Sequence, residues 1–208
     1  MKYKAVLFDL LTGLLDSWTV WNRVAGSEAA GRKWRAAYLE LTYGCGAYRP
    51  YEALVAEAAG DGTLALRLVQ EWSTLEPWPE APRVLRELNC PLGVVTNCSE
   101  SLGRAAARRV GVPFEVIVTS ERAGFYKPDP RPYRLALEEL KLEPSQVLFV
   151  AGSGFDLVGT ARVGLDTYWH NRVGLKRPEN APPPMHESRS LGDLVDYAFS
   201  PRRRDKSR

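Results

Sequence analysis

Cysteine is scarce in this chain of 208 residues: only Cys45, Cys90 and Cys98 occur, an odd number with no C-x-x-C pair. That pattern excludes a disulfide framework and a cysteine zinc site, and it fits a reducing, cytoplasmic setting. Long apolar runs are lacking too. No segment reaches the ~18 residues that a bilayer span requires, so no membrane partner is expected. The opening MKYKAVLFDLL sets two lysines before an apolar run, but Asp9 interrupts the run and no small-residue cleavage site follows. A signal peptide is therefore not expected. Charge of one sign is also missing from the body of the chain. The formal net charge is +3, but the last eight residues, PRRRDKSR, carry +4 and leave the remainder near −1. Basic and aromatic residues are not interleaved as a nucleic-acid surface would require. Residues 201–208 read as a disordered, solubilising tail. No internal repeat is present.

What is present suits a soluble globular protein. The apolar fraction is 45% and the charged fraction 25%, and a chain of this length buries a full core without disulfides or a structural metal. Short apolar runs predict strands at Tyr3–Phe8, Leu92–Val95, Glu115–Thr119, Val147–Val150 and, more weakly, Asp166–Trp169. Helical patterns at Ser99–Val110, Arg131–Leu140 and Asp156–Val163 lie between them. Strands alternating with helices predict a doubly wound parallel α/β sheet. One stretch breaks the alternation. Residues 15–80 carry helical patterns at Ser17–Val24, Gly31–Thr42, Tyr51–Ala59 and Leu64–Thr74, and no strand. This predicts an all-helical insertion after the first strand, with Pro77, Pro79 and Pro82 marking the return to a core of residues 1–14 and 81–200. The aromatic-rich insertion, with Trp18, Trp21 and Trp34, makes a homodimer plausible through exposed aromatic patches.

In an open parallel sheet, ligands bind at the carboxyl ends of the strands. Asp9, Leu11, Thr12 and Gly13 follow the first run, Thr96 and Asn97 close the second, Lys127 lies beyond the third, and Ser153 and Asp156 follow the fourth. One rim thus collects two carboxylates, an ammonium, hydroxyls and an amide. Buried charges are costly unless paired, and a site in which Lys127 pairs with Asp9 and Asp156 accounts for all three. Each residue alone has a plainer reading as a helix cap or a turn. Their joint order along the rim does not.

That order resembles the haloacid dehalogenase superfamily. Asp9 is similar to its motif-one nucleophile, Thr96 to its motif-two hydroxyl, Lys127 to its motif-three lysine and Asp156 to its motif-four acid. The resemblance implies a Rossmann-like core with a helical cap. Most members are phosphatases with a second aspartate two residues after the nucleophile, serving as general acid. Here that position is Leu11, which cannot donate a proton, and phosphoryl transfer would lose roughly 10²–10⁴ in rate. Halide leaves without a proton. Further residues resemble the L-2-haloacid dehalogenases: Trp34-Arg35, whose arginine receives the halide; Tyr126-Lys127-Pro128-Asp129 with Tyr133; Thr96-Asn97; and Trp169-His170-Asn171-Arg172.

The resemblance implies hydrolysis of small 2-haloacids through an Asp9 ester. Lys127, Asp156, Ser153 and Thr12 would complete the catalytic set, and Leu11, Arg35, Thr96, Asn97 and Tyr133 would bind substrate, with no metal. Two alternatives stay open. One is a hydrolase or phosphatase using Mg²⁺ held by Asp9 and Asp156; the other is a non-catalytic binding protein on the same fold. Three departures from the family pattern stand out. The Gly-Thr after the nucleophile is reversed as Thr12-Gly13, so that Thr12's reach to Asp9 depends on the turn. The Ser-Ser-Asn before the acid is Ala151-Gly152-Ser153. Leu11 stands where that family often has tyrosine.

Overall fold

The computed structural model describes residues 3–199; the expected basic tail lies outside them. Six strands form one sheet: β1 (Ala5–Phe8), β2 (Leu92–Thr96), β3 (Val116–Thr119), β4 (Val147–Ala151), β5 (Asp166–His170) and β6 (His186–Ser188). Their order is β3-β2-β1-β4-β5-β6 and every pairing is parallel. The order reverses between β1 and β4, which places the topological switch point directly beyond Phe8 and Ala151.

Strands β1, β2 and β4 are buried along their whole length and the edge strand β3 nearly so, as all-parallel strands are when helices cover both faces. Alternate residues divide between two cores. Val6, Phe8, Val94, Leu148 and Val150 face α5 (Ala81–Glu87), α6 (Glu100–Arg109) and α10 (Leu194–Phe199) through Ala81, Leu85, Ala106 and Leu194. Ala5, Leu7, Val95, Val118 and Phe149 face α8 (Pro130–Leu140) and α9 (Asp156–Val163) through Tyr133, Leu137 and Leu157. The short α7 (Ser120–Ala123) follows β3. The doubly wound sheet is therefore as expected. The edge strand β6 and helices α5 and α10 were not predicted. His186-Glu187-Ser188 is polar and only partly buried, so it carries no strand signal.

The stretch after β1 is helical throughout: α1 (Ser17–Ala25), α2 (Glu28–Gly44), α3 (Tyr51–Ala59), α4 (Gly62–Gln70) and a 3₁₀ turn over Glu71–Thr74. The single helix expected at Leu64–Thr74 thus tightens at its end. Local signals start and stop these helices. Asp16, Ser27 and Asp61 accept hydrogen bonds from first-turn N–H groups of α1, α2 and α4, and Gly26 and Gly60 close α1 and α3 in the left-handed conformation. The aromatics face inward. Trp34 packs on Trp21 at 4.6 Å between ring centroids, Trp21 on Tyr38 at 5.7 Å, Tyr38 on Tyr51 at 5.4 Å, and Tyr51 on Trp72 at 5.8 Å. Among the described residues the large exposed hydrophobics are Tyr43, Leu66 and Met185, so Trp21 and Trp34 belong to the interior and not to an exposed patch. No helix of the described residues is long and apolar enough to cross a membrane.

Candidate active site

Asp9 leaves β1 at the switch point, and Asp156 opens α9 on the neighbouring strand's side. Lys127 reaches between them from the loop before α8. Its Nζ lies 2.8 Å from Asp9 Oδ1 and 2.9 Å from Asp156 Oδ1, and all three side chains are buried. Burial pushes the Asp9 carboxyl up, but the Lys127 ammonium and the Thr12 donors outweigh it and hold the group below the usual carboxylate range. Burial lowers Lys127, and the charges of Asp156 and Asp9 more than reverse that, so it stays protonated. For Asp156, burial and the nearby Asp9 charge outweigh Lys127 and hold the carboxyl up. The two carboxylates thus differ in proton affinity although they share one cation. Removing that cation would leave two buried charges uncompensated.

The turn after Asp9 grips the other carboxylate oxygen. Thr12 N donates to Asp9 Oδ2 at 3.1 Å and Gly13 N at 3.0 Å, and the Thr12 hydroxyl makes a very short third bond to the same atom. The reversed Thr12-Gly13 order therefore still delivers a hydroxyl to Asp9. The second departure explains how. A Cβ at Gly152 would overlap the Gly13 nitrogen and Thr12 Oγ1, and a Cβ at Gly13 would overlap the Asp9 carbonyl. The missing side chain after β4 provides the space into which the Thr12 hydroxyl turns. The two departures are one compensated change.

A cavity of about 50 Å³ opens over this centre, lined by Asp9, Leu11, Asn97, Lys127, Ser153 and Asp156, with Leu39, Tyr43, Pro128 and Phe155 as its apolar wall. A second cavity of about 260 Å³ adjoins it, sharing Leu39, Ser153 and Phe155 and carrying Arg35, Trp18 and Thr12. Arg35 stacks over the Trp18 ring at 4.2 Å and donates to Ser17 Oγ at 3.0 Å. Asn97 ties the loops together. Its Oδ1 accepts from Lys127 N at 2.8 Å and Ser120 Oγ at 2.9 Å, and its Nδ2 donates to Lys127 O at 3.0 Å.

Two residues expected to contact substrate lie outside the linings of both cavities. Tyr133 lines neither cavity; it is fully buried behind Asp156, donating to Asp156 Oδ1 at 2.7 Å. Thr96 is also buried away from both and contacts Cys98. The apolar wall of Leu39, Tyr43 and Phe155 was not anticipated. Leu39 and Tyr43 stand four residues apart on α2, on one face, but nothing in their local sequence says which face meets the sheet rim.

Fold and site define a hydrolase of the doubly wound α/β class, built around a lysine-bridged pair of carboxylates. The sequence family described as haloacid dehalogenase-like hydrolase matches residues 3–164, and the chain belongs to that family. Among curated relatives, (S)-2-haloacid dehalogenase H-109 of Pseudomonas putida is 28% identical over 93% of this chain and 97% of its own. Haloacetate dehalogenase H-2 of Moraxella sp. (strain B) is 29% identical over 83% of this chain and 88% of its own. A solved dehalogenase with an intermediate complex superposes with a TM-score of 0.84 at 25% identity, covering 94% of this chain and 97% of that one.

Proposed function

We propose that the chain hydrolyses small (S)-2-haloacids to 2-hydroxy acids through an ester on Asp9. The observation that carries this reading is the pairing of buried Asp9 with Lys127 at the floor of a small cavity where position 11 is leucine. Asp9 stays ionised and desolvated, as a nucleophile must, and no side chain at position 11 can protonate a leaving oxygen. Displacing a halide needs no such acid.

Among the described residues Asp9 Oδ1 is bonded by Lys127 alone, and it is the oxygen that faces substrate in this reading. It attacks C2 in line with the carbon–halogen bond, with inversion. Arg35, in the lining of the larger cavity, receives the departing halide as a cation stacked on Trp18. Leu11 and Asn97 border the substrate. Water then adds to the Asp9 carbonyl carbon. Asp156, whose carboxyl is held up and whose Oδ2 is buried without a hydrogen bond, takes the water proton beside Ser153. Oδ2 of Asp9, facing three donors, bears the charge of the tetrahedral intermediate. In this reading residues 15–80 are the cap that closes the cavity, and the three unpaired cysteines agree with a cytoplasmic setting.

The reading uses no metal. The Mg²⁺ alternative meets an occupied centre: both carboxylates it would need already share the Lys127 ammonium. The test is halide release from (S)- and (R)-2-chloropropionate with and without EDTA. Release from the (S) acid, insensitive to EDTA and abolished in Asp9→Asn, is expected. Silence with both acids, or loss of activity in EDTA, would overturn the proposal.

A further inference from the structure

Behind the Thr12-Gly13 turn, on the side away from the cavity, two ring N–H groups meet the backbone. Trp78 Nε1 donates to the Thr12 carbonyl at 3.0 Å, and His170 Nδ1 meets the Gly13 carbonyl at 2.8 Å. A carbonyl only accepts, so His170 carries its proton on Nδ1. The two rings pack edge to face at 6.4 Å. Arg172 lies over the Trp78 ring at 5.0 Å and pairs with Glu80 at 2.8 Å, bracing the pair from outside. Trp78 comes from the return of the insertion and His170 from the end of β5, so two distant segments converge on two consecutive peptide units of one turn.

The Thr12 carbonyl and the Gly13 N–H belong to the same peptide. One end accepts from Trp78, and the other donates to Asp9 Oδ2 at 3.0 Å. A hydrogen bond to a peptide carbonyl polarises the peptide and strengthens its N–H as a donor. We infer that Trp78 and His170 are positioning residues that brace the Thr12-Gly13 turn as the oxyanion hole for ester hydrolysis. The inference rests on the function proposed above and deepens it.

The two chemical steps use this hole in opposite senses. During attack on C2, Oδ1 forms the new bond, halide departs with the bonding pair, and negative charge drains from Oδ2. During hydrolysis, the water oxygen bonds to Asp9 Cγ, the water proton passes to Asp156, and the carbonyl π pair moves onto Oδ2. When that pair returns, the Cγ–Oδ1 bond breaks, the product oxygen takes the proton from Asp156, and Asp9 gives up the second water proton from its new oxygen to solvent, which restores the carboxylate. Stronger donors to Oδ2 therefore speed the second step and, by steadying charge that must leave Oδ2, mildly oppose the first.

Trp78→Phe keeps the ring and removes the N–H. In rapid-quench experiments it should release one halide per enzyme in the first turnover within about 2-fold of the unaltered rate. Its steady-state rate should fall about 10-fold, an order less than loss of a direct oxyanion donor costs. The ester on the Asp9 peptide should then accumulate, visible by mass spectrometry. His170→Leu, which releases the Gly13 carbonyl of the next peptide and so loosens the turn without depolarising the Gly13 N–H, should lower the steady-state rate more than the first turnover, and His170→Asn, which keeps an N–H near the Nδ1 position, should recover most of the rate. A structural role alone would lower both phases together; that outcome, or no change in either, overturns the inference. A second readout needs no substrate. The Gly13 amide proton, followed by NMR, should move upfield in Trp78→Phe, and an unmoved resonance likewise overturns the brace. A protein that releases no halide from any 2-haloacid defeats the function instead, and the Gly13 resonance still decides whether the brace acts.

Discussion

At the scale of single residues, the centre is an arrangement of three charges that stand or fall together. Lys127→Met would leave Asp9 and Asp156 facing each other in a buried pocket. Breaking a buried pair in this way costs about 3–5 kcal/mol, and urea unfolding of the variant should show a loss of that size. A loss below about 1 kcal/mol would mean that water replaces the ammonium without penalty. The Gly152–Thr12 fit gives a second expectation. Gly152→Ser alone should collide with Thr12 Oγ1 and lower activity at least 10-fold, and adding Thr12→Gly should recover part of it, as a double-mutant cycle would show. Asp9, Lys127 and Asp156 were legible in the sequence because each follows a strand and needs a charged partner. The Gly152–Thr12 fit was not, since an absent side chain leaves no local mark. Tyr133 was legible as a residue of the site but not in its task, because an amphipathic helix pattern does not say whether a hydroxyl points at a ligand or at a neighbouring carboxylate.

At the scale of elements, the helical insertion was readable in outline. Its caps are written locally, as Asp16, Ser27 and Asp61 before the helices and Gly26 and Gly60 after them. Its interior was misread as a surface. Trp34 donates its Nε1–H to the Val55 carbonyl at 2.9 Å while packing on Trp21, so one side chain joins α1, α2 and α3. Trp34→Ala should cost about 3–5 kcal/mol by leaving a cavity, and it should also impair catalysis, because Arg35 is the next residue. Measured stability and halide release together check this. The edge strand β6 shows the limit in the other direction. A three-residue polar strand is specified by its neighbour β5 and not by its own alternation, and the same holds for the contacts of Trp78 and His170, which lie 66 and 157 positions from the turn they touch.

For the whole molecule, the shifted carboxylates set two different acid limits. Asp9 is held below the ordinary value of about 3.9, so its stabilising pairing is present above that pH and lost as pH falls through the lower folded value. Lys127 is held above about 10.4, so its contribution persists below that pH and fades only as pH rises through the higher folded value. Asp156 runs opposite to Asp9: its carboxyl is held up, and its contribution belongs to the protonated form and fades as pH rises through the folded value. First-turnover halide release, which needs ionised Asp9, should therefore survive to lower pH than steady-state turnover, which also needs ionised Asp156 to accept a proton. Identical acid limbs for the two rates would contradict this division of labour.

One apolar cluster runs without a break from Val6 and Phe8 in the sheet to Trp21, Trp34, Tyr51 and Leu54 in the insertion. Helices rooted in the same interior as the sheet do not swing on a hinge. Calorimetry of the intact chain should then record one cooperative melting event in which insertion and sheet unfold together.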